Sequence, residues 1–186
     1  MRIQVRRNVF ETNSSSMHSL VILKEDRLFT KNELTDGMYL HKNGVWDIWM
    51  DDDLYFGRSP FQCLATFESK VRYAIASLCC YRSDEEKKST FEKIKEIVLE
   101  AIPECKDVEL PTDNYSEKEK VIYGSVDDDI LSGFLKKNNI ELKDFLLNKK
   151  YVVIVDGDEY CIYDELKKSG IINKDNIDKE YPESED

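Results

Sequence analysis

Tyr151-Val152-Val153-Ile154-Val155 is the strongest buried-strand signal in the chain, an unbroken aromatic and β-branched run of the kind carried by a strand covered on both faces. Asp156-Gly157-Asp158 ends it as a turn. Upstream of it, 127–137 and 141–148 read as short helices. Downstream, 160–168 reads as a closing helix with Ser169-Gly170 beyond its end. Residues 173–186 hold six acids and two lysines and read as a solvated acidic tail.

Two helices precede this region. Ser59-Pro60 supplies a cap and a first helical position, and Phe61, Leu64, Phe67, Val71, Ile75 and Leu78 recur at helical steps toward Cys80. Ser83-Asp84-Glu85-Glu86 is a capping box for a second helix that buries Phe91, Ile94, Ile97 or Val98 and Ala101, and stops before Pro103. The pair predicts a helical hairpin over 59–102. The first third reads as β: Ile3 and Val5 alternate with polar residues, 20–23 is a short apolar run, and Asn43-Gly44 divides two alternating segments of 38–50 as a hairpin with a type I′ turn. Further short strands are expected at 54–57, 108–110 and 121–123.

These elements predict an α+β fold: an N-terminal antiparallel sheet covered by a helical hairpin, with a smaller C-terminal α/β portion. The expected organisation is a single domain over 1–172 (β-rich 1–57, helical 59–102, mixed 104–172), followed by the tail 173–186. A chain of 186 residues is long enough to bury a core of this kind.

With 27 Lys and Arg against 38 Asp and Glu, the net charge is -11. That charge opposes broad contact with a phosphate backbone or an anionic membrane and favours a partner whose own surface is basic. No apolar run approaches the roughly 18 residues that span a bilayer, and Met1-Arg2-Ile3-Gln4-Val5 lacks a signal-peptide core, so a cytoplasmic location is expected. Cys63, Cys79, Cys80, Cys105 and Cys161 form an odd set without a CxxC, which predicts reduced thiols and neither a disulfide framework nor a zinc site.

The chemically densest stretch is Arg6-Arg7-Asn8-Val9-Phe10-Glu11-Thr12-Asn13-Ser14-Ser15-Ser16-Met17-His18-Ser19-Leu20. An enzyme would use Arg7, Glu11, Asn13, Ser14 and His18, with a serine as nucleophile, His18 as base and Glu11 orienting the imidazole. Arg6 or Arg7 with backbone N–H groups of the loop would alternatively hold a phosphate. Against both, side chains packed along one loop seldom converge, and no nucleophile elbow or phosphate-binding glycine motif is present. The favoured expectation is a turn closed by Asn13 and the serines, with His18 in a strand.

Asp51-Asp52-Asp53, Asp127-Asp128-Asp129 and Asp156 with Asp158 and Glu159 offer hard oxygens, yet lack the spacing of a calcium loop, so no metal or other cofactor is expected. Tyr39, Trp46, Trp49, Tyr55 and Phe56 supply core rings or an aromatic interface anchor.

Residues 6–20 resemble the opening R-x-N-x-F-E-T-N-S-S-S-x-H-S segment of small acidic proteins encoded by phages and prophages of Firmicutes, departing from it at Met17, where a small hydroxyl residue is expected. A weaker echo falls at Ile154-Val155-Asp156-Gly157-Asp158-Glu159-Tyr160. The resemblance implies counter-defence, and the acidic character is similar to that of anti-CRISPR inhibitors of type II nucleases. It implies a host nucleic-acid-binding protein, a CRISPR effector, as partner. The contacts would be Asp51, Asp52, Asp53, Asp127, Asp128, Asp129 and the acidic tail from Asp175 to Asp186. A hydrolase or nucleotidyl-type transferase built on 6–20, and a structural phage protein, are the alternatives.

Overall fold

The computed structural model describes residues 17–48, 62–79, 82–110, 130–156 and 162–182. The fold is α+β. Strand β1 (Met17–Leu23) is followed by the one-turn helix α1 (Lys31–Leu34), β2 (Val45–Asp47) and β3 (Gln62–Leu64). Helices α2 (Phe67–Cys79) and α3 (Asp84–Ala101) form the expected hairpin. Then come β4 (Asp107–Glu109), α4 (Ile130–Asn138), α5 (Leu142–Leu147), β5 (Tyr151–Asp156), α6 (Ile162–Ser169), a 3₁₀ turn (Lys174–Asn176) and β6 (Ile177–Pro182).

The main sheet has the order β3-β5-β1-β6 with every neighbouring pair antiparallel. Its two central strands explain the sequence around residue 151. Tyr151, Val153 and Val155 face the main core with Leu20, while Val152 and Ile154 face the opposite side with Val21 and Tyr163 of α6. Each fully buried valine contributes about 1.5–3 kcal/mol through the apolar surface it removes from water. The sheet draws its strands from both ends of the chain.

Helix α2 lies on the main-core face between that sheet and α3. Phe67, Val71, Ala74 and Ile75 are buried, and α3 seals α2 with Phe91, Ile94 and Val98, three of the positions its periodicity predicts. Ser83 and Glu86 close the expected capping box, the Glu86 carboxylate accepting from Ser83 N–H at 2.9 Å and the Ser83 hydroxyl accepting from Glu86 N–H at 3.4 Å.

Three expectations need correction. Helix α2 does not begin at Ser59-Pro60: Gln62–Leu64 is strand β3, and Leu64 reaches the core from that strand. The true cap is Thr66, whose hydroxyl oxygen accepts from Ser69 N–H at 3.1 Å while its carbonyl accepts from Lys70 N–H at 3.1 Å. A run of apolar residues at helical spacing crossed a strand boundary because Leu64 and Phe67 point into the same core from different elements.

The turn at Asn43-Gly44 is present but is not type I′. Gly44 N–H donates to His41 O at 2.8 Å and His41 N–H to Val45 O at 2.8 Å. Of Asn43 and Gly44, only Gly44 takes a positive φ, +86°, and the Asn43 side chain accepts from Val45 N–H at 3.1 Å. This is a type I turn closed by a left-handed glycine. β2 then pairs with β4 in parallel.

Residues 173–182 are not a solvated tail. Ile177–Pro182 pairs with β1 as an edge strand, and the half-buried Ile177 packs into the smaller core. An edge strand tolerates a charged, proline-ended sequence that composition alone assigns to solvent.

Candidate functional site

Of the residues singled out for chemistry or partner contact, Arg7, Glu11, Asn13 and Ser14, Asp51 to Asp53 and Asp127 to Asp129 lie outside the described residues. His18 is in β1, its backbone in register with Val155. The expected strands at 54–57 and 121–123, and the turn following Asp156, also fall outside. Of the aromatic set, Trp46 is core and Tyr39 is exposed. Among the described residues no cluster of three metal-ligating side chains occurs, and no helix is long and apolar enough to cross a membrane.

The structure instead gathers polar chemistry at one corner, where β1 runs out, α5 ends and β5 begins. At its centre is Lys70 of α2, fully buried. Its Nζ donates to Phe145 O at 2.8 Å and Asn148 O at 2.7 Å, and sits 4.7 Å from the centroid of the Phe29 ring and 5.5 Å from that of Phe145. Carbonyls at a helix C-terminus have no acceptor role left inside the helix. Lys70 satisfies two of those at the end of α5, and Phe29 N–H takes a third, Leu147 O, at 2.9 Å. Burial pushes the Lys70 ammonium down to about 7, partly countered by the Asp144 carboxylate and reinforced by Lys149.

Around it the charges are tied pairwise. Arg27 holds Glu33 with two bonds, 2.8 and 2.9 Å, and Lys149 Nζ reaches the same carboxylate at 2.7 Å. These bonds, with Thr30 N–H, hold the Glu33 carboxyl far below the usual carboxylate range. Asn148 Nδ2 donates to Asp26 Oδ1 at 2.7 Å and Lys150 Nζ to Asp26 Oδ2 at 3.1 Å, which together lower the Asp26 carboxyl. Tyr151 O–H donates to Asp144 Oδ2 at 2.6 Å, and desolvation followed by that carboxylate pushes its phenol up to about 12. Phe134 and Phe145 hold the Tyr151 ring at centroid distances of 6.3 and 5.9 Å.

An open cleft of about 430 Å³ adjoins this corner, lined by Ile22, Leu23, Lys24 and Asp26, by Lys150 and Tyr151, by Asn138 and Ile140 after α4, and by Asp178 and Lys179 of β6. The floor follows from strand register. Ile22 is opposite Tyr151 on one side and Lys179 on the other, so the three share one face of the sheet. A register shift between Ile22 and Leu23 takes the pairing from Lys179 to Ile177, leaving Asp178 as the extra residue of a bulge. Bulges of this kind re-aim side chains at sheet edges. The Asn138 side chain is anchored by its Nδ2 on Phe134 O at 2.8 Å, and Asn139 turns the chain out of α4 at φ +54°.

The arrangement is a corner of mutually paired polar and charged groups beside an open cleft whose rim carries further charges. Sequence reasoning missed both. The available signal was Lys70, set between Phe67 and Val71 on the apolar side of α2. No protein-family model matches the chain, and neither the curated proteins nor the solved structures hold a significant match to it.

Proposed function

We propose that this chain is an acidic binding protein of phage counter-defence that inhibits an RNA-guided CRISPR nuclease by direct protein contact, without catalysis of its own, in the cytoplasm of a bacterial host. The observation that carries the reading is charge: 38 acidic against 27 basic residues, net -11. A nuclease of that type holds its guide–target duplex in a positively charged channel. A protein of this charge is drawn to such a channel by long-range attraction, which speeds encounter and makes it sensitive to salt. The likeness of 6–20 to phage-encoded segments supplies the biological class, and Asp51 to Asp53, Asp127 to Asp129 and the acids from Asp175 onward supply the contacts. Asp175, in the 3₁₀ turn before the edge strand β6, and Asp178, in its bulge, are exposed.

The test is size-exclusion chromatography of the protein with a type II nuclease carrying its guide, at low and moderate salt, with target cleavage assayed alongside. A salt-sensitive complex that blocks cleavage is expected, weakened when Asp51, Asp52 and Asp53 are reversed to Lys and unchanged by His18→Ala. Undiminished cleavage with no complex overturns the reading for that nuclease.

A further inference from the structure

The cleft beside the buried corner has a charge balance opposite to that of the whole chain. Its lining holds three ammonium groups, Lys24, Lys150 and Lys179, against two carboxylates, Asp26 and Asp178, in a protein of net charge -11. Asp26 is already engaged by Asn148 and Lys150. Among the described residues neither Lys24 nor Lys179 has an ion-pair partner, although acids outnumber bases in the chain. In so acidic a protein, two lysines of one cleft with no carboxylate partner among the described residues are the charges offered to a ligand.

The residue types narrow the ligand further. Among the described residues the cleft contains no arginine, so an anion there would be held by ammonium point charges and not by a planar fork making two parallel bonds to a carboxylate or phosphate. Ammonium groups act as point charges and suit a tetrahedral oxyanion approached from several sides. They come here from separate elements, Lys24 just beyond β1, Lys150 just before β5 and Lys179 in β6 beside its bulge. Ile22, Leu23 and Ile140 add an apolar surface, Asp178 adds an acceptor for hydroxyl or amino groups, and a volume of about 430 Å³ lies within the range of small-molecule sites.

We propose that this cleft binds a phosphate dianion, carried as a phosphomonoester on a small organic body, with Lys24 and Lys179 holding the phosphate beside the Lys150–Asp26 pair of the cleft wall. Asp178 lies both in this cleft and among the acids proposed to contact a nuclease, but the lysines that would hold the phosphate are not among those contacts, so either reading can fail without the other.

The experiment is titration of the intact, isotopically labelled protein with inorganic phosphate, AMP and adenosine, following the backbone amides of Ile22, Lys150, Tyr151 and Lys179 by NMR. Saturable shifts at these amides are expected with AMP and not with adenosine, and a Lys24→Glu/Lys179→Glu variant weakens AMP by at least roughly tenfold. Asp178→Asn, which removes a negative charge from the rim, tightens it. Urea midpoints measured in parallel show whether both variants remain folded. Inorganic phosphate binding as well as AMP keeps the anion site and removes the organic body from the proposal. Absence of saturable shifts up to about 10 mM AMP, equal shifts with adenosine, or AMP binding indifferent to the double charge reversal in a folded variant overturns it.

Discussion

Two sets of lysines stand within one corner of this molecule and do opposite things. Lys70, Lys149 and Lys150 are committed: two carbonyls at the end of α5, the Glu33 carboxylate and the Asp26 carboxylate take them up. Lys24 and Lys179, beside them on the cleft rim, have no ion-pair partner among the described residues and are exposed. A buried charge must find partners or it destabilises the fold, whereas an exposed charge is already solvated and can exchange that water for a ligand. The first set should therefore report on stability and the second on binding.

The sharpest separation is expected at Lys70. Lys70→Ala leaves a void and removes the donor from Phe145 O and Asn148 O, and the expected loss is about 3–5 kcal/mol by urea denaturation. Lys70→Met keeps most of the volume and isolates the charge. The Lys70 ammonium is pushed down from an ordinary 10.5 to about 7, so between those values the unfolded chain binds more protons than the folded one. Stability then rises as pH climbs from about 7 toward 10.5, with Asp144 and Lys149 the charged groups that face Lys70. The urea midpoint of Lys70→Met should lose that rise. A midpoint with the same pH slope as the unaltered protein would show that Lys70 is not the group responsible.

The contrast also marks what was legible in the sequence. Strand β5 could be read because a strand covered on both faces needs no partner information: Tyr151, Val153 and Val155 serve one core and Val152 and Ile154 the other. Helix α3 could be read because its cap and its stripe are local. The corner could not, since Lys70 meets carbonyls 75 and 78 residues away, and Asn148 meets an aspartate 122 residues back. Helical spacing marks Lys70 as lying beside buried neighbours but does not say that helix α5 will end against it. The cleft is hidden for a related reason: it depends on β6 pairing with β1, and the charged composition of an edge strand resembles that of a tail.

A smaller effect is expected where the committed set meets the cleft. Tyr151→Phe removes the donor to Asp144 while keeping the ring against Phe134 and Phe145. The Asp144 side chain is 41% exposed, so water can replace the phenol, and a loss of about 1 kcal/mol is expected. The pH dependence runs opposite to that of Lys70. Because the phenol is pushed up from 10.0 to about 12, its contribution is whole below pH 10 and is lost as pH rises toward 12. Tyr151→Phe should flatten that fall in the urea midpoint, and a fall as steep in the variant would assign it to other groups.

The smallest effect belongs to the rim. Lys179 is exposed beside the β6 bulge, and the hydrogen bonds that fix β6 to β1 are made by the backbone. Truncating its side chain therefore removes no partner that the described structure records. Lys179→Ala and Lys24→Ala are each expected to move stability by no more than about 0.5 kcal/mol, measured as urea midpoints at neutral pH. A loss of 1 kcal/mol or more in either would mean that the rim lysine is tied into the corner as firmly as Lys150, and the division between committed and available charge would not hold there. Removing a cation from a chain of net charge -11 slightly increases self-repulsion, so a small destabilisation that salt abolishes is the expected sign, distinct from the salt-insensitive loss that a broken buried contact would give.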